Sequence, residues 1–201
     1  MKLTICALCL FAITTEARAD DPAPALSRAT VADWSGPYVG LSYGQGSGDV
    51  DDSYNFGVFA FTQGSVAGGF AGFNLQRGAL VYGGELGLSR PSGMAFVGGD
   101  GDDTPDLLID LSARLGYATG KALIYGKLGY SEARLTINDT YSPKVGGVSL
   151  GVGVEYQVTD RFLLGLDYTS RRMQGADDTP PFPYDMAPDI DSVSLRLALR
   201  F

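Results

Sequence analysis

Eight ionisable residues stand where strand alternation would bring them to one face of successive apolar segments: Glu85, Asp110, Arg114, Lys127, Glu155, Asp167, Arg196 and Arg200. Positioned carboxylates with tuned proton affinities are the equipment of acid/base catalysis. The same set also divides into four acids and four bases, and charges withdrawn from water have to be paired. That balance favours a structural salt-bridge network over a catalytic or conducting role. The chain contains no histidine, which removes the commonest side-chain base. A Ser-Lys or carboxylate mechanism is left as a formal option, but no motif marks one. The run GGVSLGVGVE (146–155) spaces its glycines by two, yet it lacks the G-x-x-x-x-G-K-[ST] order and a following helix of a phosphate loop. Its glycines are expected in a crowded interior or beneath tyrosines that cover them.

A second constellation is acidic: Asp49, Asp51 and Asp52, then Asp100, Asp102, Asp103 and Asp106, then Asp177 and Asp178, then Asp185, Asp189 and Asp191. Carboxylates are hard ligands, and Asp100-x-Asp102 matches a fragment of a calcium loop without the rest of its twelve-residue pattern. A solvated loop surface is the stronger expectation. The segment 171–191 also holds Phe182, Tyr184 and Met186 among prolines, and apolar side chains on an exposed loop are candidate recognition groups.

The elements that position these residues are strands. Ser192–Phe201 alternates without a break, Val193, Leu195, Leu197, Leu199 and Phe201 against Ser192, Ser194, Arg196, Ala198 and Arg200. The same rhythm predicts seven earlier strands, near 38–46, 65–75, 79–89, 107–117, 122–130, 147–156 and 162–169. Tight turns at 76–78, 118–121 and 157–161 alternate with four longer loops at 49–61, 90–106, 138–144 and 171–191. In a soluble antiparallel sheet the apolar face is buried. Eight strands with uninterrupted aliphatic rows instead predict an all-β, eight-stranded antiparallel transmembrane β-barrel, apolar outside and small, polar or charged inside. Strands of about ten residues suit a tilted crossing of the hydrocarbon layer. A barrel of this size is filled by side chains, whereas wide pores take about 16 strands.

Composition agrees. There are 28 glycines and 45% hydrophobic residues, too apolar for disorder. Residues 1–19 read as a cleaved signal peptide, with Lys2, an apolar core over 3–13 and Ala17-Arg18-Ala19 before the cut. Both cysteines, Cys6 and Cys9, lie within it, so the exported chain has no disulfide or thiolate chemistry. Export leaves 13 basic and 22 acidic residues, a balance opposed to general nucleic-acid binding. Residues 20–33 read as a flexible N-terminal segment and 34–201 as the barrel domain, with Trp34 suited to a membrane interface.

The opening WSGPYVGLSYG, the YGGELG strand and the terminal RLALRF together resemble the small outer-membrane β-barrel family. The likeness is to its OmpA/OmpX-like group and the opacity-like surface barrels of Gram-negative bacteria. It implies outer-membrane location, short periplasmic turns, longer extracellular loops, and both termini on the periplasmic side; no periplasmic peptidoglycan-binding domain is expected after the barrel, since the sequence stops at Phe201. It also implies that Leu197, Leu199 and Phe201 belong to a signal read by the barrel assembly machinery. The implied surroundings are outer-membrane lipid and lipopolysaccharide, with divalent ions as one bridge between the loop acids and its phosphates. The expected role is structural or surface-interactive, with no cofactor and no enzyme activity, because the outer-membrane enzymes of this type use a histidine base. A lipid-modifying enzyme, a soluble exported barrel binding an apolar ligand and a narrow ion pore are the alternatives.

Overall fold

The computed structural model describes residues 31–52, 57–94, 104–136, 144–177 and 184–201. They form eight strands: β1 (Gly36–Asp52), β2 (Gly57–Arg77), β3 (Leu80–Ser92), β4 (Thr104–Thr119), β5 (Ala122–Thr136), β6 (Lys144–Gln157), β7 (Phe162–Asp177) and β8 (Tyr184–Arg200). Each pairs antiparallel with the next, and β8 returns to β1, so the sheet closes with no free edge. Among the described residues no helix is long and apolar enough to cross a membrane, a test that does not touch strands.

The expected faces are the observed ones. Leu41, Tyr43, Phe73, Leu86, Leu111, Leu128, Leu150, Leu166 and Leu195 all point outward, and Leu41 is 70% exposed. An exterior of this kind is the reverse of a soluble barrel, and the charged middle of the lumen leaves no apolar ligand chamber.

The strands run further than expected, 13 to 21 residues, past the lengths needed to span hydrocarbon. Ladder pairing does not stop where lipid stops, so polar residues continue each strand into water. Asp49, Asp51 and Asp52 are therefore paired residues of β1, Asp106 lies in β4, Asp177 in β7, and Tyr184, Asp185, Asp189 and Asp191 in β8. The loops expected at 49–61 and 171–191 shrink to the links 53–56 and 178–183. Opposite Ser47, β2 places both Thr62 and Gln63, a bulge that reverses its alternation and turns Phe61 into the lumen.

The lumen is layered, not uniformly polar. At the end carrying the long connections, Val50, Phe61, Met94, Leu108, Met173 and Ile190 pack into one apolar layer. Met186 belongs to it, buried inside the barrel and not exposed on a loop. At the tight-turn end Trp34, Tyr38, Phe70, Val81, Leu123 and Leu163 form a second layer. Trp34 is fully buried there, not at a lipid interface, because the residues before β1 fold across the mouth of the barrel. That segment is tied to all three tight turns and to the last strand. The Ala32 N–H donates to the Gly120 carbonyl at 2.9 Å, and the Trp34 N–H donates to Gln76 Oε1 at 2.6 Å. Gln157 Nε2 donates to the Asp33 carbonyl at 3.2 Å, and Arg200 donates to the same oxygen. Ala32 and Asp33, read as the end of a flexible lead-in, are thus part of the fold. The proposed signal peptide, Asp100, Asp102, Asp103, Asp178 and Phe182 lie outside the described residues.

Candidate functional site

Between the two apolar layers sits the charge network. β3, β4, β6 and β8 present Glu85, Arg114, Glu155 and Arg196 at inward positions of their alternation. Arg196 donates to Glu85 Oε1 at 3.0 Å, and Arg114 donates to Glu85 Oε2 at 3.2 Å and to Glu155 Oε2 at 2.9 Å. The Tyr38 hydroxyl adds a bond to Glu85 Oε2 at 2.9 Å. Both guanidinium groups also lie over rings, Arg114 at 4.0 Å from the Tyr125 centroid and Arg196 at 3.6 Å from that of Phe70. From β5 and β7, Lys127 meets Asp167 at 2.9 Å, and Asp167 accepts further bonds from Tyr125 at 2.8 Å and Thr169 at 2.8 Å. A Cβ on Gly153 would overlap the Tyr125 ring, so the glycine run of β6 makes room for that tyrosine, as expected.

A second cluster lies nearer the long-connection end. Arg171 grips Asp110 with two parallel bonds of 2.8 and 2.7 Å, Ser131 donates to the same carboxylate, and Arg171 also donates to Ser192 at 2.9 Å. The fork geometry is the strong form of this pair. Between the clusters is a polar cavity of about 50 Å³, lined by Glu85, Asp110, Lys127, Asp167, Arg171 and Arg196. It has room for about three or four waters.

Seven of the eight expected network residues are in the lumen, and one is not. Arg200 sits at the tight-turn mouth, donating to the carbonyls of Asp33 and Asp160, the latter at 2.9 Å. Alternation aims it inward, but β8 has reached the barrel end there, and the carbonyls of the mouth are what it meets. Its place in the balance is taken by Arg171, which sequence reasoning left in a loop. The signal was available: Gly165, Asp167 and Thr169 face inward, and two residues further on is Arg171. Four acids and four bases are still matched. Every one of those acids accepts from a base within 3.2 Å. Among the described residues no group of three His, Cys, Asp or Glu side chains is placed to hold a metal ion.

The rim at the long-connection end carries charges on the outer face. On one side, Arg134 of β5 stands directly across from Lys144 of β6. On the opposite side Asp49 of β1 stands directly across from Asp189 of β8. Outside the membrane-spanning part, Asp33 accepts the Ser35 N–H at 2.9 Å, and that bond, opposed by burial, holds its carboxyl below the usual range.

A family model of the outer membrane protein beta-barrel domain matches residues 5–201. The chain belongs to this outer-membrane β-barrel family. This outer-membrane barrel is 29% identical over 172 residues to a 22 kDa outer membrane protein of Rhizobium leguminosarum bv. viciae, covering 84% of this chain and 78% of that one. It is 31% identical over 147 residues to a 25 kDa outer-membrane immunogenic protein of Brucella abortus, covering 67% of this chain and 63% of that one. Among solved structures, the neisserial surface protein A superposes with a TM-score of 0.49 at 16% identity, over 83% of this chain and 98% of the other. Outer-membrane location follows from the family.

Proposed function

We propose that this outer-membrane barrel is a structural and surface-interacting protein, neither an enzyme nor a diffusion channel. One observation carries the reading: the lumen is stoppered by an apolar layer at each end, with matched charges between them. Water and ions have no continuous polar path through such a stack. Buried charges already committed to partners are poor acid/base groups. In barrels of this family short turns face the periplasm and the longer connections face outward. Recognition then belongs to the outward rim, where Asp49, Asp185, Asp189 and Asp191 continue the strands beyond lipid, and to the links above it. Outer-membrane lipid and lipopolysaccharide are its surroundings. The outward Leu197 and Phe201, with the half-buried Leu199, supply the segment proposed for the assembly machinery.

Planar-bilayer conductance of the refolded full chain tests the closed lumen. A flat baseline is expected at voltages where a porin opens steadily. Stable unitary currents that change when Glu85 or Arg196 is neutralised would overturn it in favour of a narrow ion pore.

A further inference from the structure

Like charges face each other at two places on the outer face of the barrel. Ala133 and Val145 are buried in the lumen, so their neighbours Arg134 and Lys144 point out toward the surroundings. The register sets these two directly opposite each other, and like charges so placed repel at a Cβ separation of about 5 Å. The row extends further: Leu107 of β4 pairs with Arg134, Leu108 pairs with Ser89 of β3, and Arg90 follows Ser89. Three cations thus stand at one level on three of four neighbouring strands, with the outward Leu107 between them on β4; on β5 the outward Glu132 lies between Arg134 and Tyr130, and on β6 Gly146 lies between Lys144 and Val148.

Among the described residues one carboxylate approaches the two facing cations. Glu132 approaches Lys144 at 3.8 Å, beyond hydrogen-bond range, with both side chains about half exposed. Arg90 donates to the backbone carbonyl of Asp106 at 3.4 Å. Among the described residues Arg134 has no ion-pair partner. By contrast Arg172 on β7, which pairs across from Val148, lies 3.3 Å from Asp189 and 3.6 Å from Asp191 and is neutralised by the acidic side. The Tyr130 hydroxyl lies over Gly146, where a Cβ would collide with it, so a phenol is held between the apolar band and Lys144. An aromatic with a polar tip belongs at the boundary between lipid and headgroups.

We propose that Arg134 and Lys144, flanked by Arg90 and underlain by Tyr130, bind a phosphate of the phosphorylated glycolipid in the outer leaflet. The proposal rests on the outward orientation given above. An anion between the two cations converts their repulsion into two charge-assisted contacts. Its place at the top of the apolar band is where a lipid headgroup, anchored by its own acyl chains, would meet it. The acidic side at Asp49 and Asp189 would repel the same group, so such lipids are expected to sit along β3–β6.

Native mass spectrometry of the detergent-solubilised full chain, titrated with bis-phosphorylated lipid A, tests this. The double variant Arg134→Gln/Lys144→Gln is expected to bind about tenfold more weakly. Arg172→Gln should stay within about twofold of the parent, and the parent itself should lose affinity for dephosphorylated lipid A by about as much as the double variant loses. Equal binding by the double variant, or indifference to the phosphates, would overturn the site. Heat-dependent gel mobility reports folding of each variant. If the double variant does not fold, Lys144→Gln alone and the dephosphorylated lipid decide the matter. A folded barrel in the outer membrane that ignores phosphate removes this site and leaves the surface role standing. A protein found free in the periplasm removes both.

Discussion

Inside the barrel Glu85 takes bonds from Arg114, Arg196 and Tyr38, while on the rim Arg134 faces Lys144 and Asp49 faces Asp189. The two regions use the same residue types under opposite rules. In the lumen a charge without a counter-charge would cost several kcal/mol, so opposite signs converge from strands far apart in the chain. On the rim water and mobile ions screen each charge, and a surface pair is worth about 0–1 kcal/mol either way. Like charges can therefore persist there at little cost. The interior charges are committed to one another, and the rim charges stand exposed to the surroundings.

The comparison can be broken most directly at Glu85. Glu85→Ala leaves the buried Arg114 and Arg196 with Glu155 as their one shared carboxylate and should destabilise the barrel by about 3–5 kcal/mol, seen as a lower urea midpoint for loss of the compact gel band. A loss below about 1 kcal/mol would mean the lumen charges are solvated and the distinction from the rim is false. Trp34→Ala should cost about 3–5 kcal/mol by opening the tight-turn layer, while leaving the mid-lumen bonds intact. Arg171→Met is expected next, about 2 kcal/mol in the same assay, because Asp110 keeps Ser131 and some exposure to solvent. The rim should respond least. Asp189→Asn removes one partner of a like-charge pair and one of the two acids beside the exposed Arg172, and these opposed changes should shift stability by no more than about 0.5 kcal/mol in either direction. A large destabilisation there would show that the acidic side holds a bound cation, and adding chelator to the parent would reproduce it.

Fold class was legible because it depends on facing. Val193, Leu195 and Leu197 alternate with Ser194 and Arg196, and the pleat of the backbone alone sends the two sets to opposite faces. The strand ends were less legible. The acidic stretch at Asp49–Asp52 has the composition of a loop, yet β8 offers it ladder partners from Met186 to Asp189. Local polarity records contact with water, and a strand can be in water. Trp34 carries the same lesson: its chemistry suits an interface, but Gln76, Gly120 and Gln157 together fold its segment inward.

The sequence by itself determined that eight apolar-faced strands alternate with turns, that acids and bases share the inner face, that histidine is absent and that both cysteines lie within the first nine residues. Those are properties of each segment taken alone, set by a two-residue period and by composition. Which charges meet was decided by closure. Arg114 reaches Glu155 across 41 positions and Arg196 reaches Glu85 across 111, distances that no local pattern encodes. The stagger of eight strands around a ring sets the height of every side chain in the lumen. It puts Arg171 against Asp110, leaves Arg200 at the mouth, and lines Arg134 up with Lys144 on the outside.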